Sequence, residues 1–380
     1  MLHWIKTLQR YHIIGGRVPT HMTTKNRRVD RDIDADPFGE RAATTSLRKG
    51  LQLMGGRFHF ESNSPELLRL VDAAYARLPR HQFSPNPPEF RVGLMMTPDA
   101  PRRGRSSTTA QRQLEPPPLS MLSGVDFLGG ATESSSFVIL SPQQRCALVS
   151  VSRDKLRFPY HIRYELIEFA VFTLASRAQR LVPLHAACVG LDGRGILLMG
   201  PSGSGKSTVA LQCLLDGFDF LAEDSVFVAP KSMRATGTAN FLHVREDSLC
   251  WLGRSRARSM IRNSPIIRRR SGVEKFEVDL RRGEFKLAKA PLKIIGVAFL
   301  SSRPAGTGCL LRSLSSSETL ARLKREQAYG ASLPQWRAFR QNLLRLGAFE
   351  ILRGAHPSAS VEMLRSLLRP KSAKSRRSPR

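Results

Sequence analysis

Residues 195–217, "GILLMGPSGSGKSTVALQCLLDG", constrain this chain more than any other stretch. "GILLM" is a short apolar run of strand length, and "STVALQCLLDG" reads as a helix closed by Gly217. The loop between them, residues 200–207, satisfies G-x-x-x-x-G-K-[ST] in full. Gly200, Gly203 and Gly205 let the backbone wrap close to phosphate oxygens with its N–H groups turned inward. Lys206 brings a cation to the β- and γ-phosphates, Ser207 offers a hydroxyl to Mg²⁺, and the helix start adds its positive end. A strand, a phosphate loop and a helix in that order require an α/β fold. They predict an ATP and Mg²⁺ site formed by Gly200, Pro201, Ser202, Gly203, Ser204, Gly205, Lys206, Ser207 and Thr208.

The loop alone does not name a reaction, since transporter ATPases carry the same string. Those proteins also carry an "LSGGQ"-type signature, and nothing like it occurs here. Instead "DGFDFLAEDSVFV" (216–228) reads as a helix end, a strand and the acidic pair Glu223-Asp224. Asp224 lies 17 residues after Ser207. One helix and one strand would carry it back beside the loop, where a carboxylate can accept a proton from an attacking hydroxyl or hold metal-bound water. His185, in "VPLHAACVGLDGRG", lies 15 residues before Gly200, on a strand leading into a hairpin that ends at the loop. Position alone favours a structural role for a lone histidine.

The run from Leu184 to Val226 resembles the catalytic domain of the HPr serine kinase/phosphorylase family, which shares a core with phosphoenolpyruvate carboxykinase. The family pattern is a His, a hairpin, the phosphate loop, a helix, and an acidic pair before a small residue and Val. Here these are His185, Gly200–Ser207, Glu223-Asp224 and Ser225-Val226, without a gap in the spacing. The resemblance implies a P-loop kinase domain of the HPr kinase/PEP carboxykinase type, with a smaller N-terminal α/β domain. It implies Asp224 as proton acceptor, His185 and Lys206 as catalytic residues, and Ser207 as a magnesium ligand, joined by Glu223. Glu223 stands where the family usually has Asp. The family's second metal ligand is a Glu in "LEIRGLG"; the comparable "FLHVREDSL" (241–249) has His243 at that place, so either Glu246 or Asp247 substitutes or metal binding relies on fewer protein ligands. No late catalytic Arg is placed, and Lys275 is the candidate replacement cation. Without "LEIRGLG", neither HPr as acceptor nor phosphorylase activity is expected. A branch with "LHAA" before the loop and "GPSGSGKST" within it is more similar, and some of its members are kinases of lasso-peptide precursors.

The rest of the chain divides around this core. Residues 1–50 lack periodicity and are expected to be flexible, or an over-extended start. A small α/β domain is expected over 51–160. It comprises a strand at 51–62, a helix at 64–79 capped by Ser64, a strand at 90–96, a Pro/Arg/Ser-rich loop at 98–118 and two strands over 136–153. The catalytic domain is expected over 161–368, opening with a helix at 163–180. It continues through strands at "KFEVDL" and "LKIIGVAFL" to helices at 317–346 and 358–368. Residues 369–380 read as a basic, disordered tail.

The formal charge of +29, from 60 Lys and Arg against 31 Asp and Glu, points to an anionic partner: nucleotide phosphates, an acidic peptide, nucleic acid or a membrane surface. The basic run at 253–270 is read as a solvated loop. The most apolar window, 166–184, is interrupted by Glu168, Arg177 and Arg180, so no membrane span is expected. Five cysteines without a C-x-x-C pattern, and no signal peptide, predict reduced thiols in the cytoplasm. The expected activity is transfer of phosphate from ATP, with Mg²⁺, to a serine hydroxyl of a peptide or protein, a ribosomal peptide precursor being one candidate. An ATP-binding regulator with little turnover is the rival, motivated by the altered metal ligand. A nucleic-acid binder ranks third, because only charge supports it. A homo-oligomer is left open.

Overall fold

Phe58 and Phe60 alternate with Arg57 and His59, and the strand they form buries both rings completely. The computed structural model containing it describes residues 46–98, 119–124, 126–132, 136–305 and 309–369. The N-terminal stretch to residue 45, the linker from 99 to 118 and the basic tail from 370 lie outside the described residues. What is described is a mixed α/β protein built on three sheets.

The first sheet holds β1 (Leu47–Leu53), β2 (Gly56–Ser62), β3 (Glu89–Thr97), β4 (Ser120–Ser123), β5 (Leu128–Ala131), β6 (Phe137–Ser141) and β7 (Cys146–Ser152). Their order is β1-β2-β3-β7-β6-β5-β4. The single strand expected over 51–62 is therefore a hairpin. Met54 adopts φ 50° and Gly55 φ 85°, the positive pair that a two-residue hairpin turn demands, written here as Met-Gly rather than Asn-Gly. Helix α1 (Pro65–Tyr75) crosses from β2 to its parallel neighbour β3. Ser64 caps it, accepting from the Leu67 N–H, and Leu67, Val71, Ala74 and Tyr75 are buried.

One turn (Pro159–His161) and a π-helical stretch (Ile162–Ile167) run into α2 (Glu168–Ala178). By sequence this helix is expected at the head of the 161–368 unit. Its buried residues Ile162, Leu166, Ile167, Ala170, Val171 and Leu174 instead share one core with the first sheet and α1.

The second sheet holds β8 (Val182–Leu184), β9 (Ala187–Leu191), β10 (Arg194–Met199), β11 (Asp219–Ala222), β12 (Val226–Ala229) and β13 (Arg234–Gly237). The third holds β14 (Phe241–Val244), β15 (Ile266–Arg268) and β16 (Glu274–Asp279), in the order β14-β16-β15. Three further strands, β17 (Leu292–Pro304), β18 (Leu311–Ser313) and β19 (Ala348–Arg353), complete the second, ordered β11-β9-β10-β17-β13-β12-β8 with β19 on β17. Strand β10 lies parallel to β17 and is buried on both faces. Ile196 and Leu198 pack on one side, against α3 (Lys206–Leu215), while Leu197 and Met199 pack on the other. That two-sided burial is why "GILLM" is apolar without alternation.

Helix α4 (Arg256–Arg262) lies in the basic run. The single helix expected over 317–346 is two, α5 (Ser316–Glu326) and α6 (Trp336–Leu346), separated by a 3₁₀ turn at Ala328–Ser332. Pro334 cannot supply the N–H a continuous helix needs, and Gly330 lies against the Trp336 ring, so the chain bends there. Helix α7 (Pro357–Leu368) packs on α3. Among the described residues no helix is long and apolar enough to cross a membrane. All five cysteines are free thiols; Cys146, Cys188 and Cys213 are buried.

Candidate active site

The glycine loop leaves β10 and enters α3 through backbone that side chains rarely adopt: φ is 150° at Gly200, 82° at Gly203 and 90° at Gly205. A Cβ at Gly200 would lie 2.6 Å from Ser204 Oγ and 2.7 Å from the Leu300 carbonyl, so only glycine fits between β10 and β17. The space beside Gly203 and Gly205 is open. Lys206 begins α3 and folds its ammonium over the loop, donating to the carbonyls of Gly200 (2.6 Å) and Pro201 (3.2 Å). Burial pulls its pKa below the usual lysine value, with Asp224 opposing that shift. Pro201 and Ser202 are exposed at the rim, and Thr208 shares a hydrogen bond of 3.1 Å with Ser248.

Strand β11 pairs antiparallel with β9, and so does β10, so β11 runs in the direction of β10 with one strand between them. The bend after β11 carries Glu223 and Asp224 to the same end of the sheet as the glycine loop. Ser207 Oγ donates to Glu223 Oε1 at 2.7 Å. The other oxygen, Oε2, accepts from the His243 backbone N–H at 2.9 Å and lies 3.0 Å from its Nδ1. His243 Nε2 lies 3.4 Å from Glu277 Oε1, and Glu277 pairs with Arg163. With a carboxylate at each ring nitrogen, His243 suits the doubly protonated form. Burial would lower its pKa, but the bonds from Glu223 and Glu277 raise it. Burial likewise pushes Glu223 up, and His243 more than offsets it, holding the carboxyl below its ordinary value.

Asp224 faces a different set. Its Oδ1 lies 3.0 Å from His185 Nδ1, an ion-pair distance, and its Oδ2 3.6 Å from Arg269. Burial favours the neutral acid, yet His185 and Arg269 keep it ionised, well below the usual carboxylate range. His185 occupies the break between β8 and β9. Gln327 grips its backbone from both sides, accepting from the N–H at 3.0 Å and donating to the carbonyl at 2.9 Å. Tyr329 Oη also accepts from that N–H and donates to the Pro183 carbonyl.

The structure thus brings His185, Lys206, Ser207, Glu223 and Asp224 together at one mouth. It does not bring Glu246 there: that side chain is exposed and pairs with Arg262 at 3.4 Å. The alternative, Asp247, pairs with Arg245 on the surface. Pairing of β14 with β16 points His243 inward, and the 3₁₀ turn that follows carries both acids out to basic neighbours. Among the described residues no group of three or more His, Cys, Asp or Glu side chains is arranged to hold a metal ion. Lys275 lies beside the cluster: burial lowers its pKa, and the attraction of Glu223 opposes the shift.

Sequence reasoning missed several participants. The basic run at 253–270 is not simply solvated: Arg269 turns in against Asp224 and lies 5.8 Å from the Tyr164 ring centre, and Arg270 pairs with Glu165. Two guanidinium nitrogens of Arg269, Nε and Nη2, are buried with no hydrogen-bond partner among the described residues. Tyr160 and Tyr164 stand edge-on to His243. One signal was available in "EKFEVD": Phe276 and Val278 alternate with Lys275 and Glu277, so a strand with an apolar face carries charge on the other.

No family model matches the chain. Among solved structures, the HPr(Ser) kinase/phosphatase from Coxiella burnetii is similar over 49% of this chain and 95% of that chain, with 13% sequence identity and a TM-score of 0.26.

Proposed function

We propose that this chain is a Mg²⁺-dependent phosphotransferase of the HPr-kinase-like type, moving the γ-phosphate of ATP to a serine hydroxyl of a peptide or protein. The observation that carries the proposal is the meeting of two acid-centred pairs at one loop: Ser207 with Glu223, and His185 with Asp224. The loop fits a polyphosphate. Its first glycine fills a gap that a Cβ would close, its later glycines leave open space, and Ser204 Oγ is buried without a partner among the described residues. Hydroxyl and carboxylate oxygens at Ser207 and Glu223 are the hard donors Mg²⁺ prefers, and that ion usually takes only one or two protein ligands beside water and phosphate.

Mg²⁺ held there would neutralise charge on the β- and γ-phosphates. Lys206, released from the Gly200 and Pro201 carbonyls, supplies a cation to the same oxygens. Asp224 accepts the proton of the attacking hydroxyl as its oxygen bonds to the γ-phosphorus and the bond to the β-phosphate oxygen breaks, leaving ADP. His185 and Arg269 hold Asp224 in place and keep it ionised. Arg269, whose Nε and Nη2 have no partner among the described residues, would receive charge building on the phosphoryl group.

The test is transfer of label from γ-labelled ATP to a pool of serine-containing peptides, with phosphoserine identified by mass spectrometry. Labelled phosphoserine is expected with Mg²⁺ and not with a chelator. Tight ATP binding with neither transfer nor hydrolysis would replace this reading with that of a nucleotide-responsive regulator.

A further inference from the structure

A cleft of about 1360 Å³ lies between the first and second sheets. Small-molecule pockets usually run to about 300–1,000 Å³, so this one exceeds what a compact ligand needs. Its walls are Leu122 and Phe127 from the β4–β5 hairpin, Phe169 and Phe172 from α2, Phe227 from β12, and Leu333 before α6. Leu122 and Phe127 are 54% and 42% exposed, unusual for large apolar side chains flanking a cleft. Among the described residues β4 ends its sheet, with only β5 as a strand partner. Four cations also line the cleft, Arg145, Arg177, Arg180 and Lys231, all exposed, against the exposed Asp126 and the buried Glu168.

One part of the wall adjoins the candidate active site, through Ser225 and Tyr164. Ser225 follows Asp224 directly, and Tyr164 stacks on Arg269 and stands against His243. An extended chain lying along the cleft would therefore pass beside the residues that flank Asp224. We propose that the cleft seats the acceptor as an extended polypeptide segment bearing large apolar side chains and acidic residues, its serine delivered past Ser225 to Asp224. The apolar walls take the side chains, the four cations select for acid, and the end strand β4 offers backbone groups to an added strand. This inference rests on the phosphotransfer reading, and its test separates the two.

The probes are synthetic peptides of one length with a central serine. Flanking positions carry Asp with Leu or Phe in one series, and Lys with Leu or Phe in a second. Binding to the full chain is read by fluorescence anisotropy, and transfer by label from ATP. The acid-apolar series should bind and react with KM lower by about tenfold than the Lys series. Arg177→Glu should reverse part of that preference, improving the Lys peptides while weakening the acidic ones. Leu122→Ser should raise KM for the acid-apolar peptides and leave their kcat unchanged. ATP affinity and basal ATP hydrolysis should be unaltered in both variants. Peptide binding that obeys these rules without any transfer sustains the cleft and sinks the kinase reading. Transfer at one rate to every peptide, unmoved by either variant, sinks the cleft and leaves the kinase reading standing. An absence of any saturable peptide binding overturns the cleft as well.

Discussion

Replacing Asp224 by Asn tests the chemistry where it is most exposed to refutation. The side chain keeps its shape and loses both its charge and its ability to take a proton. General bases contribute about 10²–10⁴ in rate, or about 3–5 kcal/mol at 1.36 kcal/mol per decade. The structure argues for the lower half of that range. His185 at 3.0 Å and Arg269 at 3.6 Å hold Asp224 well below the usual carboxylate pKa, so it is a weak base. Phosphoryl transfer through a loose transition state also asks little of the base until bond formation is advanced. A loss of about 10²–10³ in single-turnover transfer is expected. Asp224 pairs with His185 and Arg269 rather than holding the loop, so ADP affinity should stay within about twofold.

The sign of the pH dependence follows from the same contacts. A carboxylate held below its ordinary pKa stays ionised from mildly acid to neutral pH, and its own protonation cannot reduce the rate there. The ratio of wild-type to Asp224→Asn rates should therefore be flat between about pH 5 and 8. Rapid-quench mixing with γ-labelled ATP and a serine peptide measures that ratio, with thermal unfolding as the control for folding. A variant that binds ADP normally and transfers phosphate within about twofold of wild type would refute the argument. Asp224 would then be only the charge partner of His185 and Arg269.

Two further predictions concern stability. Glu350 on β19 is 1% exposed and bonded to Arg303, Arg312 and Arg322; burial opposes its ionisation, but the three arginines hold it at about 2. Because its folded pKa is depressed, its contribution is full above its ordinary value of 4.5 and fades as pH falls toward 2. Glu350→Gln should cost about 2 kcal/mol near neutrality, after allowing for solvent screening at the exposed Arg303 and Arg312, and the gap should narrow in acid. Urea titrations at several pH values check this; a gap that widens in acid contradicts it. Tyr75 is buried with no partner for its hydroxyl among the described residues, so Tyr75→Phe should stabilise by about 1 kcal/mol. A drop in the urea midpoint would mean that the hydroxyl is satisfied after all.

The parts of the fold legible in the sequence are those whose signal is local. Ser64 and Pro65 announce α1, the apolar run before Gly200 announces β10, and Gly217 ends α3 one residue past Asp216. The parts that are not legible depend on chemistry outside the usual signatures. Met54 occupies a turn position where Asn or Asp is expected, so a hairpin passed for one strand. Helical periodicity runs from α5 into α6, and the break between them shows only as Gly330 and Pro334. The helix over 163–180 carries no mark of which sheet it packs on, because its apolar face would suit either.

The candidate site divides along the same line. His185, Lys206, Ser207, Glu223 and Asp224 fall within 40 residues of one another, and a single hairpin–loop–helix–strand passage brings them together. Arg269, Glu277 and Gln327 arrive from other sheets and helices, and their roles exist only in three dimensions. Gln327 shows why such a residue is needed. His185 sits where β8 has ended and β9 has not begun, so its backbone N–H and carbonyl have no strand to pair with. Left unmade inside the protein, those two bonds would cost about 1–3 kcal/mol each. The Gln327 amide satisfies both at once, as a neighbouring strand would, and leaves Nδ1 of the imidazole 3.0 Å from Asp224. A glutamine at the C-terminal end of α5 has no local pattern to mark it, because its partner lies 142 residues away. The histidine could be found from its neighbours in sequence, but the residue that fixes its backbone could be found only from the fold.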